Sequence, residues 1–344
     1  MAKRRGLKID GWLNLDKPLG LSSAHAVARA RRIFGAAKVG HGGTLDPLAS
    51  GVLPIAFGEA TKTVAWVMDG PKEYRFALGL GVATATDDAE GAVVATSDVR
   101  PSDAALVEAL DRFRGPILQR PPAFSALKVA GQRAYALARE GVAVDLAPRQ
   151  VVIHDIKFLE RTDNLPILWV RCGKGTYIRS LARDIAQALG TVGHVAALRR
   201  TACGPFHEAD AVTLEALAAA AGRETPAGGG GDPAGNPLSP PVDFGHTSAL
   251  FGYLRPVVTA LDDIPALALT DREAERLSQG MAVKLPETGG RPAAPIGTMS
   301  PAEGSAGPAD DASTGVVRAM AGDRLVAIAR IDAGLVRPVR VLNL

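Results

Sequence analysis

Gly40-His41-Gly42-Gly43-Thr44-Leu45-Asp46-Pro47-Leu48-Ala49-Ser50-Gly51-Val52-Leu53-Pro54 holds four glycines and two prolines in fifteen residues. Such a density shapes a tight loop, because glycine lets a backbone approach a ligand closely or take positive φ. Asp46 stands directly before Pro47, a pair that ordinarily serves as a helix N-cap and its first helical residue. In a loop built for close approach and flanked by basic segments, the same carboxylate is a candidate for chemistry. The stretch alone names no reaction.

Outward from this loop the chain mixes strands and helices. Trp12–Leu15 reads as a short strand, and Ser22 or Ser23 caps a helix that runs to about Phe34 and stops at Gly35. Lys72–Leu80 carries Tyr74, Phe76 and Leu78 at period two, the mark of a half-buried strand. Pro101-Ser102-Asp103 opens a helix to about Phe113. Val151–Leu159 and Leu165–Cys172 read as neighbouring strands, Tyr177–Leu189 as a helix ending at Gly190, and His194–Cys203 as another strand. Several strands follow each other without a helix between them. This favours an α+β fold with a mixed or antiparallel central sheet over a doubly wound one.

Two stretches rich in Gly and Pro, 222–246 and 285–314, are too poor in apolar residues to offset their ordering entropy. They divide the 344 residues into a body over 1–220, a linker or insertion over 221–254, and a small β-rich unit over 255–344 with its own insertion at about 285–314. Val316–Met320, Leu325–Ile331 and Val336–Leu342 are the strands expected in that unit.

The net charge is only +3, but residues 1–40 carry +7 and residues 171–200 carry +5. Two basic clusters on a balanced chain form the footprint of a polyanion-binding protein. The two cysteines, Cys172 and Cys203, are too few for a disulfide framework or a zinc cluster and suit burial in a reducing compartment. No run of 18 apolar residues predicts a membrane span, and no apolar stretch follows the basic N-terminus as in a signal peptide, so the cytoplasm is expected.

Cys172-Gly173-Lys174-Gly175-Thr176-Tyr177-Ile178-Arg179 lies between a strand and a helix. A phosphate loop needs a glycine at 168 and Ser or Thr after the lysine, and the chain has Leu168 and Gly175 there. Arg179, near a helix start, needs an anionic partner if buried. The six histidines show no metal-ligand spacing, and Asp87-Asp88-Ala89-Glu90-Gly91 reads as a solvated turn.

Together these segments resemble one family. Gly40–Pro54 is similar to the active-site motif of TruB-type pseudouridine synthases, G-H-x-G-x-L-D-P-x-A-x-G-x-L-P. Leu15-Asp16-Lys17-Pro18-Leu19-Gly20, Gly58-Glu59-Ala60-Thr61-Lys62, Tyr74-Arg75, Ser125-Ala126-Leu127-Lys128, Lys174–Arg179 and Leu198-Arg199-Arg200-Thr201 follow in family order. The resemblance covers about 9–215 well and the C-terminal unit loosely.

The resemblance implies a pseudouridine synthase fold with a PUA-like RNA-binding module, acting on uridine 55 in the T-loop of tRNA. It implies Asp46 as the catalytic aspartate, Tyr74 stacking on the target base and Arg179 pairing with the aspartate. His41, Tyr177 and Leu198 would line the pocket of the flipped nucleotide, with Lys62 also at the substrate. Isomerising uridine breaks the N1–C1′ bond and rejoins the base through C5. That needs no cofactor and no metal, only a nucleophile attacking C6 or C1′, or a base acting at C2′ to give a glycal. The expected partner is the tRNA T-arm, with no membrane, no guide RNA and no obligatory protein partner. A non-catalytic tRNA-binding or folding role is compatible with the same surface.

Overall fold

The computed structural model describes residues 6–125, 128–129, 132–133, 146–222, 248–285 and 315–344. Apart from Gly222 and Leu285, the stretches 222–246 and 285–314 lie outside the described residues, as do Ala126 and Leu127.

Strands β1 (Gly11–Lys17), β2 (Val39–His41), β3 (Ala49–Phe57), β4 (Lys72–Leu80), β5 (Val82–Thr84), β6 (Val93–Thr96), β7 (Gly115–Gln119), β8 (Lys128–Val129) and β9 (Gln132–Arg133) fill the first part. Then come β10 (Arg149–Thr162), β11 (Leu165–Cys172), β12 (Gly193–Cys203), β13 (Phe206–His207) and β14 (Leu254–Arg255). Ten of these form one sheet in the order β14-β1-β3-β12-β4-β11-β10-β7, with β2 beside β3 and β13 beside β12. All its pairs are antiparallel except β3 with β12, so the sheet is mixed and the fold is α+β, as the succession of strands predicted.

Helices α1 (Ser23–Phe34), α2 (Val64–Asp69), α3 (Asp103–Leu110), α4 (Ile178–Ala188) and α5 (Leu214–Ala220) attach to this sheet. Local chemistry sets their ends. Ser22 caps α1 by accepting from the His25 backbone N–H, and Gly35 closes it at φ 61. The expected helix to Phe113 is α for 103–110 and 3₁₀ for 111–113.

Period-two alternation gives the sheet two buried faces. Leu53, Ile55 and Phe57 point into the core shared with α1, α3, α4 and α5. Val52 and Ala56 point the other way, where Trp12 and Phe206 meet Leu261, Leu325, Ile328 and Leu342. The C-terminal strands β15 (Ala266–Ala268), β16 (Val283–Lys284), β17 (Gly315–Ala321), β18 (Arg324–Asp332) and β19 (Leu335–Val341) form a second sheet in the order β15-β17-β18-β19-β16. That sheet joins the body through this second apolar layer and keeps a separate core of its own.

Register places one row of residues under the glycine-rich loop. Lys17 pairs with Gly51, Gly51 with Arg200, Arg200 with Tyr74, and Tyr74 with Val170. Paired residues share a face, so two buried cations flank a glycine. Gly51 has φ +100, and a Cβ there would lie 2.2 Å from the Arg200 carbonyl oxygen. Gly51→Ala is therefore expected to destabilise the fold by more than about 1 kcal/mol. Gly20→Ala, at φ +80 with open space around it, should lose less. Paired urea titrations check the order of the two losses.

Candidate active site

Asp46 does not cap a helix. Residues 47 and 48 form a turn leading into β3, and the Ala49 N–H donates to the Asp46 carbonyl at 3.0 Å. The side chain is free of a capping role and projects with 40% exposure. Ser23 anchors the loop by donating its hydroxyl to the Leu45 carbonyl and accepting from the Leu45 N–H, both at 2.8 Å. The Gly20 N–H donates to the Pro47 carbonyl at 2.8 Å.

The partner that Arg179 required is Asp46. Nη2 of Arg179, in the first turn of α4, lies 2.9 Å from Asp46 Oδ2, and the arginine side chain is only 8% exposed. Asp88 Oδ2 lies 3.4 Å from Nη1. The Thr86 and Phe124 carbonyls accept from the same guanidinium at 3.2 and 3.1 Å. A buried guanidinium thus has two carboxylates and two carbonyls around it, which balances its desolvation.

Asp88 overturns the reading of 87–91 as a solvated turn. It is buried, accepts from the Glu90 N–H at 3.1 Å and takes a hydrogen bond from the Thr86 hydroxyl. Charged residues in a turn usually face water, so composition pointed outward; the demand of Arg179 turned this one inward. The Thr84 hydroxyl donates to the Asp88 carbonyl at 2.6 Å and holds the turn.

Two further cations lie under the loop. Lys17 is fully buried and donates to the carbonyls of Pro18, Leu21 and Pro47 at 2.9, 2.6 and 3.4 Å. Burial lowers its pKa to about 8, with Asp46 opposing and Arg200 adding to the shift. Arg200 donates to the carbonyls of Val52, Gly43 and Thr44 at 2.7, 3.1 and 3.5 Å. Neither was singled out from sequence, although both stand in the motifs Leu15–Gly20 and Leu198–Thr201. Period two sends the adjacent Arg199 to the opposite face, where it meets Asp16 at 3.0 Å and Glu208 at 2.7 Å.

The remaining expected residues distribute as follows. Tyr74 is half-buried on β4; burial pushes its hydroxyl up to about 12, while the charge of Arg200 pulls the other way. His41 ends β2, and its Nδ1 accepts from the Gly43 N–H at 3.3 Å, which leaves the ring proton on Nε2. Burial, then Arg200, lowers its pKa. Tyr177 precedes α4, its N–H donating to Gln119 Oε1 at 2.8 Å, and burial raises its hydroxyl pKa. Leu198 is buried against Ala49 and Phe76 in the core beside the loop. Lys62 stands apart: it donates to Glu59 at 2.7 Å and to the Val341 carbonyl at 2.9 Å, at the junction with the C-terminal sheet. Among the described residues no cluster of three His, Cys, Asp or Glu could hold a metal, and no helix is long and apolar enough to cross a membrane.

Residues 31–178 match the model of the TruB family pseudouridylate synthase N-terminal domain, and 179–263 that of the tRNA pseudouridylate synthase B C-terminal domain. The chain is 50% identical over 343 residues to tRNA pseudouridine synthase B of Gluconacetobacter diazotrophicus, covering 99% of this chain and 100% of the relative. It is 47% identical to the enzyme of that name from Caulobacter vibrioides, covering both chains completely. Its fold is similar to the protein in the crystal structure of a Cbf5-Nop10-Gar1 complex, with TM-score 0.63 and 25% identity over 96% of this chain and 83% of that one.

Lys17 has a measurable signature. A lysine whose folded pKa lies below its unfolded 10.5 binds fewer protons in the folded state between about pH 8 and 10.5. Stability therefore rises with pH across that window, by up to ~1.4 kcal/mol per unit. The difference in unfolding free energy between wild type and Lys17→Met, followed by urea titration from pH 7 to 10.5, should show this gain in the wild type only.

Proposed function

The chain belongs to the TruB family of pseudouridylate synthases, and from that premise we propose that it converts uridine 55 in the tRNA T-loop to pseudouridine with Asp46 as the nucleophile. The single observation that carries the role of Asp46 is its pairing with a buried arginine at 2.9 Å while 40% of its side chain stays open to an incoming group.

The reaction conserves every atom. The N1–C1′ bond breaks, the uracil turns, C5 bonds to C1′, and the proton lost from C5 is balanced by one gained at N1. An ionised carboxylate at 46 adds to C6 or C1′ and leaves again when the new bond has formed. Transfer of the C2′ proton to Asp46, giving a glycal, uses the same position. Arg179, 2.9 Å from Asp46 Oδ2, fixes the direction of the carboxylate.

A stacked uridine must be flipped out before Asp46 can reach it, at a cost of a few kcal/mol. Tyr74 offers a half-buried ring for the extruded base, and such stacking returns ~1–3 kcal/mol. His41 and Tyr177 are assigned to the pocket of the flipped base by the family resemblance, and Leu198 lies in the core beside Ala49. The C-terminal unit supplies a second RNA contact. Arg330 and Arg337 face each other across β18 and β19, both exposed, an unfavourable pair unless an anion such as a phosphate lies between them. Two buried free thiols suit the reducing cytoplasm.

Purified chain incubated with unmodified tRNA, or with a bare T-arm stem-loop, should form pseudouridine without guide RNA or other protein. Asp46→Asn should bind the same RNA and form none, and Tyr74→Leu should lose most turnover with the fold intact. Pseudouridine mapping and circular dichroism check all three. Full activity in Asp46→Asn would reject its role, and binding without isomerisation by the wild type would favour a tRNA-folding factor.

A further inference from the structure

Arg179 and Arg183 stand one helical turn apart on α4 and so share a face. Both reach across to the same two segments. Arg179 contacts the turn after β5 through Thr86 and Asp88 and the chain after β7 through Phe124. Arg183 contacts that turn through Asp87 Oδ2 at 2.9 Å and the chain after β7 through the Arg120 carbonyl at 2.9 Å. Ser180 adds a third tie, donating to the Arg120 carbonyl at 2.8 Å.

Asp87 is unusual in its backbone. It has φ 59, the left-handed region that non-glycine residues rarely occupy and that Asp and Asn tolerate best. Its N–H donates to the Thr84 carbonyl at 3.2 Å, and its carbonyl accepts from the Val195 N–H at 3.0 Å. Gly91 lets the turn close on itself, since a Cβ there would lie 2.7 Å from the Thr86 nitrogen. The strained residue is followed directly by Asp88, whose carboxylate faces Arg179. The Asp87–Arg183 pair is no surface salt bridge: the two side chains are 17% and 22% exposed. Asp184 Oδ1, at 3.0 Å, completes the surroundings of Arg183.

We propose that Arg183 and Asp87 form a positioning clamp, in which their ion pair holds the 84–91 turn in its left-handed form so that Asp88 and the Thr86 carbonyl aim Arg179 at Asp46. Neither residue touches Asp46, so their effect reaches the reaction only through Arg179. The clamp rests on the reading of Asp46 as the catalytic group. It extends the site by a layer, from α4 to the turn, that the glycine-rich loop does not contain.

The test compares wild type, Asp87→Asn, Arg183→Gln and the double variant on unmodified tRNA. The measurements are single-turnover rate, equilibrium tRNA binding and Tm. Each single variant is expected to slow the single-turnover step by about ten- to a hundredfold, the scale of a misaimed catalytic group, with tRNA affinity unchanged. The double variant should be no slower than the slower single, because both changes remove one interaction. Asn keeps an acceptor oxygen and tolerates the left-handed backbone, so Asp87→Asn decides the matter if Arg183→Gln fails to fold. A lowered Tm with a wild-type rate would overturn the clamp, as would losses confined to binding or losses that simply multiply. An inactive wild type would instead remove the assignment of the activity, and the clamp with it.

Discussion

A guanidinium taken out of water must find its anions within the fold, and Arg179 has found them in Asp46, Asp88 and two carbonyls. Removing water from a cation is expensive unless hydrogen-bonding groups surround it, and removing one partner leaves the rest uncompensated. The partners come from the glycine-rich loop, the turn after β5 and the chain after β7. The arginine thus ties three separate segments to the start of α4. The open side of Asp46 is what remains after this arrangement is satisfied, and it is the side available for chemistry.

Beneath the loop the same physics acts with a different partner type. Lys17 and Arg200 are buried cations held largely by backbone carbonyls, three for each. Carbonyls carry no net charge, so a positive field persists under the loop. It adds to burial in lowering the pKa of His41 and of Lys17. Gly51 makes this stack possible by leaving space on the middle strand between the two that carry the cations. The loop is therefore bolted from below by cations and gripped from the side by Arg179.

The C-terminal sheet is coupled to this region through the far face of the central sheet. Trp12 and Val52 lie on the strands that carry Lys17 and Gly51, and they pack against Leu325, Ile328 and Leu342. Lys62 and Glu59 bind the Val341 carbonyl and the Asn343 N–H at the edge of this contact. An apolar layer with a polar latch holds the second module at a set position relative to the glycine-rich loop.

Asp46, the strands around it and the α1 caps were legible in the chain itself, because each depends on neighbours within a few positions: glycine and proline spacing, period-two alternation, a serine before a helix and a glycine after it. The need of Arg179 for an anion was legible too, but the identity of that anion was shared between two carboxylates, and only Asp46 stood out. Asp88 looked like a solvated turn residue, and Lys17 and Arg200 counted among the two basic clusters read as a polyanion footprint, whereas both are buried. Their partners lie far along the chain: Arg179 meets Thr86 at a separation of 93 residues, and Arg200 meets Gly43 at 157. Strand register and helix packing decide such meetings. A local pattern reports which face a side chain takes, whereas its partner is set by which strand comes to lie alongside.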